Sequence, residues 1–164
     1  MKTAIIYYSM GGNTAYIAAR ISKKLTSDVD IIELTTVKAY PDKGFRKFIW
    51  GGKSAVMSET PPLMPYSFNA DYYDRIIFGF PVWASRIAPP LRTFVQDNKS
   101  LLKGKKISAY ACQAGSGADK ALRGLKELLG IFDYSAEMVF NDPKDRPNEA
   151  NEKKINEFCG LIEK

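Results

Sequence analysis

Short apolar runs alternate along this chain with segments of helical period, and that alternation restricts the fold more than any other feature. Thr3 to Tyr8 and Arg75 to Val82 are apolar almost throughout; Val29 to Leu34, Lys106 to Cys112 and Ser135 to Phe140 are further strand candidates. Ile17, Ala18, Ile21 and Leu25 recur at spacings of three and four, which predicts a helix from about Gly12 to Leu25. Further helices are predicted over Pro89 to Asn98, with prolines suited to a first turn, over Ala118 to Leu129, and over Asn148 to Ile162. Apolar strands separated by helices imply a parallel sheet covered on both faces. Five such strands predict one domain over residues 1–164, a three-layer α/β/α sandwich with strand order 2-1-3-4-5. Sheets of this kind bind ligands at the carboxyl ends of their strands, at the switch point between strands 1 and 3.

The loops after strands 1, 3 and 4 are therefore the places to look for chemistry. Ser9, Met10, Gly11, Gly12, Asn13 and Thr14 form the first, which opens a helix. Two glycines let the backbone curl with its N–H groups inward, and Ser9, Asn13 and Thr14 add side-chain donors. With the helix N-terminus, these make an anion site without any Lys or Arg; the alternative is an ordinary strand-to-helix turn. The loop is neither G-x-x-x-x-G-K-[ST] nor G-x-G-x-x-G. A closed cup of this type suits a terminal phosphate monoester better than a bridging diphosphate. In the second loop, Pro81, Val82, Trp83, Ala84 and Ser85, a Trp beyond a buried strand has no core face to fill. Its flat face suits stacking on a planar ring, the alternative being that it covers the sheet edge. The third loop, Cys112, Gln113, Ala114, Gly115, Ser116 and Gly117, is small enough for close backbone approach to a heterocycle, or is a plain connection.

Composition removes several other classes. The chain has no His, which excludes His-based triads and His-ligated metals, and two cysteines without a C-x-x-C, which excludes a zinc ribbon or disulfide framework. Cys112 reads as a packing residue or a redox-sensitive thiol, and Cys159 as core. That usage suits a reducing compartment, and a cytoplasmic location is expected. The N-terminal apolar run is too short for a secretory leader, and no run is long enough to span a membrane. The net charge of +6 is local: Lys99 to Lys126 holds seven basic residues against one acid. No helix carries the clustered reading residues of a nucleic-acid module, so a solvated face or a docking face for an acidic protein is expected instead.

Ser9-Met10-Gly11-Gly12-Asn13-Thr14 resembles the phosphate loop [ST]-x-[ST]-G-x-[ST] of the flavodoxin family. Tyr73 to Trp83 resembles that family's third strand and flavin-flanking loop, and Ala88 to Phe94 the helix that follows; the similarity runs over essentially the whole chain. The resemblance implies non-covalently held FMN, its phosphate at Ser9 to Thr14, its ring between Pro81–Ser85 and Cys112–Gly117, and Trp83 as stacking partner. No catalytic residue and no metal ligand is implied. A short-chain type is indicated, because the insertion in the fifth strand is missing.

Three departures stand out. Gly11 replaces a hydroxyl residue of the phosphate loop, and the third loop lacks the family's Gly-Asp and the Tyr after it. The family is acidic around its ring, whereas only Arg86 and Asp119 are charged across these three loops and their flanks. Fewer acids predict a less negative potential for the fully reduced flavin couple. Residues 35–69 form a long connection with Tyr40, Phe45, Phe48, Trp50, Tyr66 and Phe68. It is expected either as a helix, spaced by Phe45, Phe48 and Ile49 and interrupted at Gly51–Gly52, with a loop near the flavin edge, or as an aromatic satellite core. The function expected is electron transfer between a reductase and a partner enzyme, the redox partners being acidic and the protein a monomer or weak dimer. The alternative is an FMN-dependent NAD(P)H oxidoreductase of quinone reductase type. A phospho-receiver of this topology lacks its acids here, and a ligand-free interaction module is the remaining class.

Overall fold

The computed structural model describes residues 1–41 and 52–164. Its sheet contains β1 (Lys2–Tyr7), β2 (Asp28–Glu33), β3 (Arg75–Pro81), β4 (Lys106–Gln113) and β5 (Ala136–Asn141), all parallel, in the order β2-β1-β3-β4-β5. Four helices flank the sheet among the described residues, α1 (Asn13–Lys24), α2 (Pro89–Asn98), α3 (Ala118–Leu129) and α4 (Glu149–Ile162). Each element lies within a residue or two of its expected position.

The period of two along each strand splits the core into two layers. Ile5, Tyr7, Ile77, Tyr110 and Cys112 face α1 and α4, packing on Ile17, Ile21, Ile155 and Phe158. Ala4, Ile6, Ile76, Phe78, Ala109 and Ala111 face α2 and α3, packing on Leu91, Phe94, Leu122 and Leu125. Phe78, Phe80, Phe94, Tyr110 and Phe158 are fully buried. Burying such a side chain is worth roughly 1.5–3 kcal/mol relative to leaving it exposed. Both layers therefore clamp the central strands β1, β3 and β4, and the loops leaving their carboxyl ends are anchored on rigid backbone.

In the long connection, Phe45, Phe48, Ile49 and Trp50 lie outside the described residues. Residues 52–56 are helical, so the break expected at Gly51–Gly52 does not fall at Gly52. A helical glycine costs only about 1 kcal/mol, and here the buried Ser54 and Ala55 tie the turn to the body; the Ser54 hydroxyl bonds both Tyr40 and Glu59. The remaining aromatics form a satellite core. Phe68 stacks on Tyr73 with ring centroids 5.7 Å apart and meets Phe94 at 5.1 Å, and Tyr66 meets Phe94 at 5.3 Å.

Candidate functional site

At the carboxyl ends of β1, β3 and β4 lies a cleft of about 800 Å³, well inside the about 300–1,000 Å³ typical of small-molecule sites. Ser9, Met10, Gly11, Asn13 and Thr14 line it from the first loop, Pro81, Val82, Trp83 and Ala84 from the second, and Cys112, Gln113 and Ala114 from the third. The remaining expected residues stand outside the lining. Gly12 lies under the Lys144 side chain. Gly115 and Ser116 are exposed. Gly117 packs against Ser85, where a Cβ would stand 2.5 Å from the Ser85 hydroxyl, so these two residues lock the second and third loops together.

The first loop supplies backbone donors. Gly12 takes a left-handed conformation with φ 89°, which turns the chain into α1 without a side-chain cap, and the first turn holds no acid. The N–H groups of Gly12 and Ala15 donate to the Ser9 hydroxyl at 3.2 and 3.3 Å. Those of Met10, Gly11, Asn13 and Thr14 have no acceptor among the described residues. Unsatisfied donors at the positive end of a helix dipole attract an anion. Asn13, expected as a further donor, is committed elsewhere: its Nδ2 donates to Asp145 at 2.9 Å and its Oδ1 accepts from the Lys144 N–H at 2.8 Å.

Those bonds reveal a fourth loop that sequence reasoning missed. Asp142, Asp145 and Arg146, after β5, line the cleft, as does Gly52 from the long connection. The strand order put the end of β5 on this edge, and the Asn-Asp-Pro-Lys-Asp-Arg-Pro-Asn run is rich in turn formers, so a signal was present. The expectation of a site without Lys or Arg is thereby corrected. A Cβ at Gly12 would stand 2.8 Å from Lys144 Nζ, and Arg146 is on the wall.

Trp83 also departs from expectation, because it does have a core face. It is only 9% exposed and packs edge-on against Tyr8 at 5.6 Å and Tyr40 at 5.2 Å while still lining the cleft. The turn beyond it is a tight hairpin in which Trp83 and Arg86 exchange two backbone hydrogen bonds, at 3.0 and 2.9 Å. Ala84 and Ser85 between them both have positive φ, 49° and 59°. Gln113 braces the third loop: its Oε1 accepts from the Ala118 N–H at 2.9 Å and its Nε2 donates to Asn141 at 3.0 Å. Burial pushes the Cys112 thiol up to about 12, only partly offset by a hydrogen bond with Thr14. It is protonated at neutral pH, which fits packing rather than reactivity.

The comparisons with known proteins agree with this geometry. The family model described as Flavodoxin matches residues 2–151. A flavoprotein from Lactobacillus acidophilus NCFM, solved in complex with FMN, superposes with a TM-score of 0.73 at 19% identity, covering 88% of this chain and 95% of that one. The Streptococcus pneumonia TIGR4 flavodoxin superposes at 0.65 with 20% identity over 99% and 98% of the two chains. For the two-electron reduced Megasphaera elsdenii flavodoxin the figures are 0.62, 20%, 98% and 98%. These identities are low and speak for the fold alone. The family match spans nearly the whole chain, and with its switch-point cleft and glycine-turned first loop, this chain belongs to the flavodoxin family.

Proposed function

We propose that the cleft holds FMN non-covalently and that the protein carries electrons between a reductase and a partner enzyme. The observation that carries this reading is the set of four backbone N–H groups, of Met10, Gly11, Asn13 and Thr14, that find no acceptor among the described residues at the wall of the cleft. A phosphate monoester supplies the acceptors they need, and Lys144 over Gly12 adds a cation. The opposite part of the cleft fits a flat heterocycle: Trp83 and Val82 supply apolar surface, and the small Ala84 and Ala114 allow close approach. Bound FMN would supply one- and two-electron redox chemistry; the chain supplies binding, orientation and electrostatics.

Carrier work asks little acid–base chemistry of the protein, and the two carboxylates in the cleft wall are engaged, Asp142 by Arg146 and Asp145 by the Asn13 amide. The chain has no His, and the Cys112 thiol in the wall holds its proton far above neutral pH. Partners that carry acidic patches suit the surplus of basic residues between Lys99 and Lys126.

The test is the visible absorption spectrum of the purified protein before and after addition of FMN, with chromatographic identification of the released flavin. One FMN per chain is expected. No binding with FMN in excess overturns the cofactor reading. Rapid oxidation of NADH or NADPH by the loaded protein alone overturns the carrier reading in favour of an oxidoreductase.

A further inference from the structure

Beside the cleft, on the far side of the Trp83–Arg86 hairpin, lies a second concavity of about 210 Å³. Three elements build it. The hairpin contributes Arg86, α2 contributes Arg92, and α3 contributes Lys120 and Arg123, with Glu127 as the one carboxylate in the wall. None of the four cations makes an ion pair or a side-chain hydrogen bond with another described residue. Arg92 is half-buried, and burial together with the neighbouring Arg86 lowers its pKa. Arg86, Lys120 and Arg123 are exposed at the rim and Arg92 stands half-buried at the wall, so four cations face one carboxylate around the hollow; a concave patch dominated by one sign of charge focuses its field and attracts anions.

Gly124 provides a way to close the hollow without touching its charge. It sits in the middle of α3 and in the wall of the hollow. Glycine there costs about 1 kcal/mol relative to alanine, yet a Cβ at Gly124 would meet no heavy atom within 4 Å. Packing therefore does not require the glycine. Its missing side chain leaves that part of the wall open.

We propose that this pocket is a second anion site, which takes the phosphate ester or diphosphate group of a dissociable small ligand. Two guanidinium groups suit such a group because each offers paired N–H donors in a planar fork. The concave shape and the convergence of three elements favour a small ligand over a flat protein surface. Trp83 and Ala84 line the cleft while Ser85 and Arg86 line the pocket, so the same hairpin contributes to both concavities. The pocket stands independently of the flavin reading.

Calorimetric titration of FMN-supplied protein with adenosine 2′,5′-bisphosphate and, separately, with inorganic pyrophosphate tests this at about 150 mM salt, where diffuse attraction is screened. Saturable binding of one ligand per chain is expected. Arg92→Gln with Arg123→Gln should weaken it by about tenfold or more. Gly124→Leu, which leaves the charge unchanged and fills the hollow, should do the same while raising the melting temperature. Tighter binding of the adenosine compound identifies a nucleotide as the source; equal binding identifies the phosphate group alone. Absence of saturation, or binding untouched by Gly124→Leu, overturns the proposal. The visible spectrum of the same samples reports flavin occupancy separately, so failure of one site is not mistaken for failure of the other.

Discussion

The Tyr110 hydroxyl donates to the Thr14 carbonyl at 3.0 Å, joining the middle of β4 to the first turn of α1 across 96 residues of sequence. Gly79 on β3 makes the room: a Cβ there would overlap the Tyr110 ring. Gly79→Ala should therefore destabilise the protein by about 2–3 kcal/mol, whereas Tyr110→Phe, which removes only the hydroxyl, should cost about 1 kcal/mol. Urea unfolding of both variants measures this, and a Gly79→Ala protein as stable as the parent would contradict the packing argument.

Asn13 holds the loop after β5 through both ends of its amide. Asn13→Ala should free that loop and carry Lys144 and Arg146 away from the phosphate end of the cleft. The expected result is FMN binding weakened by about tenfold, with about 1–2 kcal/mol lost in stability. Quenching of FMN fluorescence on titration with the variant gives the affinity. Unchanged affinity would show that the fourth loop plays no part in the site.

Ala84 and Ser85 both sit in the left-handed region between the two hydrogen bonds of the hairpin. For a residue with a Cβ that conformation costs roughly 1–2 kcal/mol. Ala84→Gly should relieve it, less the added entropy of the unfolded chain, for a net gain of about 0.5–1 kcal/mol. A lowered melting temperature would show that the turn is not strained.

Alkaline pH should unfold this protein more readily than its charge alone predicts. Burial raises Cys112 to about 12 and Cys159 to about 11, and Tyr7, Tyr8, Tyr110 and Tyr134 are raised by burial as well. Each raised group binds its proton more tightly folded than unfolded. Its contribution is fully present below the unfolded pKa and is lost as pH rises towards the folded one. Urea midpoints should stay level between neutrality and about pH 9 and then fall. For Cys112 each unit of separation corresponds to about 1.4 kcal/mol, so Cys112→Ser should flatten part of the fall. A midpoint independent of pH up to about 11 would contradict this.

The four loops around the cleft bring in no excess of acid: the fourth sets Lys144 and Arg146 against Asp142 and Asp145, with Arg146 Nε 3.9 Å from Asp142. The fully reduced flavin couple should accordingly be less negative than in an acid-rimmed flavodoxin. A charge about 10 Å from a redox centre, at an effective dielectric of about 20–40, is worth about 0.8–1.7 kcal/mol, or about 35–70 mV per electron. Arg146→Gln should lower the potential by about that amount and Asp142→Asn should raise it. A spectroscopic redox titration decides, and a very negative couple in the parent protein would refute the charge argument.

Much of this was legible without coordinates. The apolar runs around Ile5-Ile6 and Ile76-Ile77-Phe78, the helical spacing of Ile17 and Ile21, and the glycine turn at Gly12 are local signals, set by side-chain period and backbone sterics within a dozen residues. Topology rules then placed the first three loops on one edge. Residue type alone presents Asn13 as a donor and Trp83 as a platform, and says nothing of Gln113 as a brace; here locality fails. Asn13 is engaged by Asp145, Trp83 by Tyr8 and Tyr40, and Gln113 by Asn141 and Ala118. By itself, the sequence determined the layers, the strand order and the glycine turn of the first loop, because periodicity and glycine geometry act over short range. Only the tertiary structure decided which polar groups stay free for a ligand and which charges converge at Arg86, Arg92, Lys120 and Arg123, because hydrogen-bond partners and desolvation depend on residues brought together from far apart in the chain.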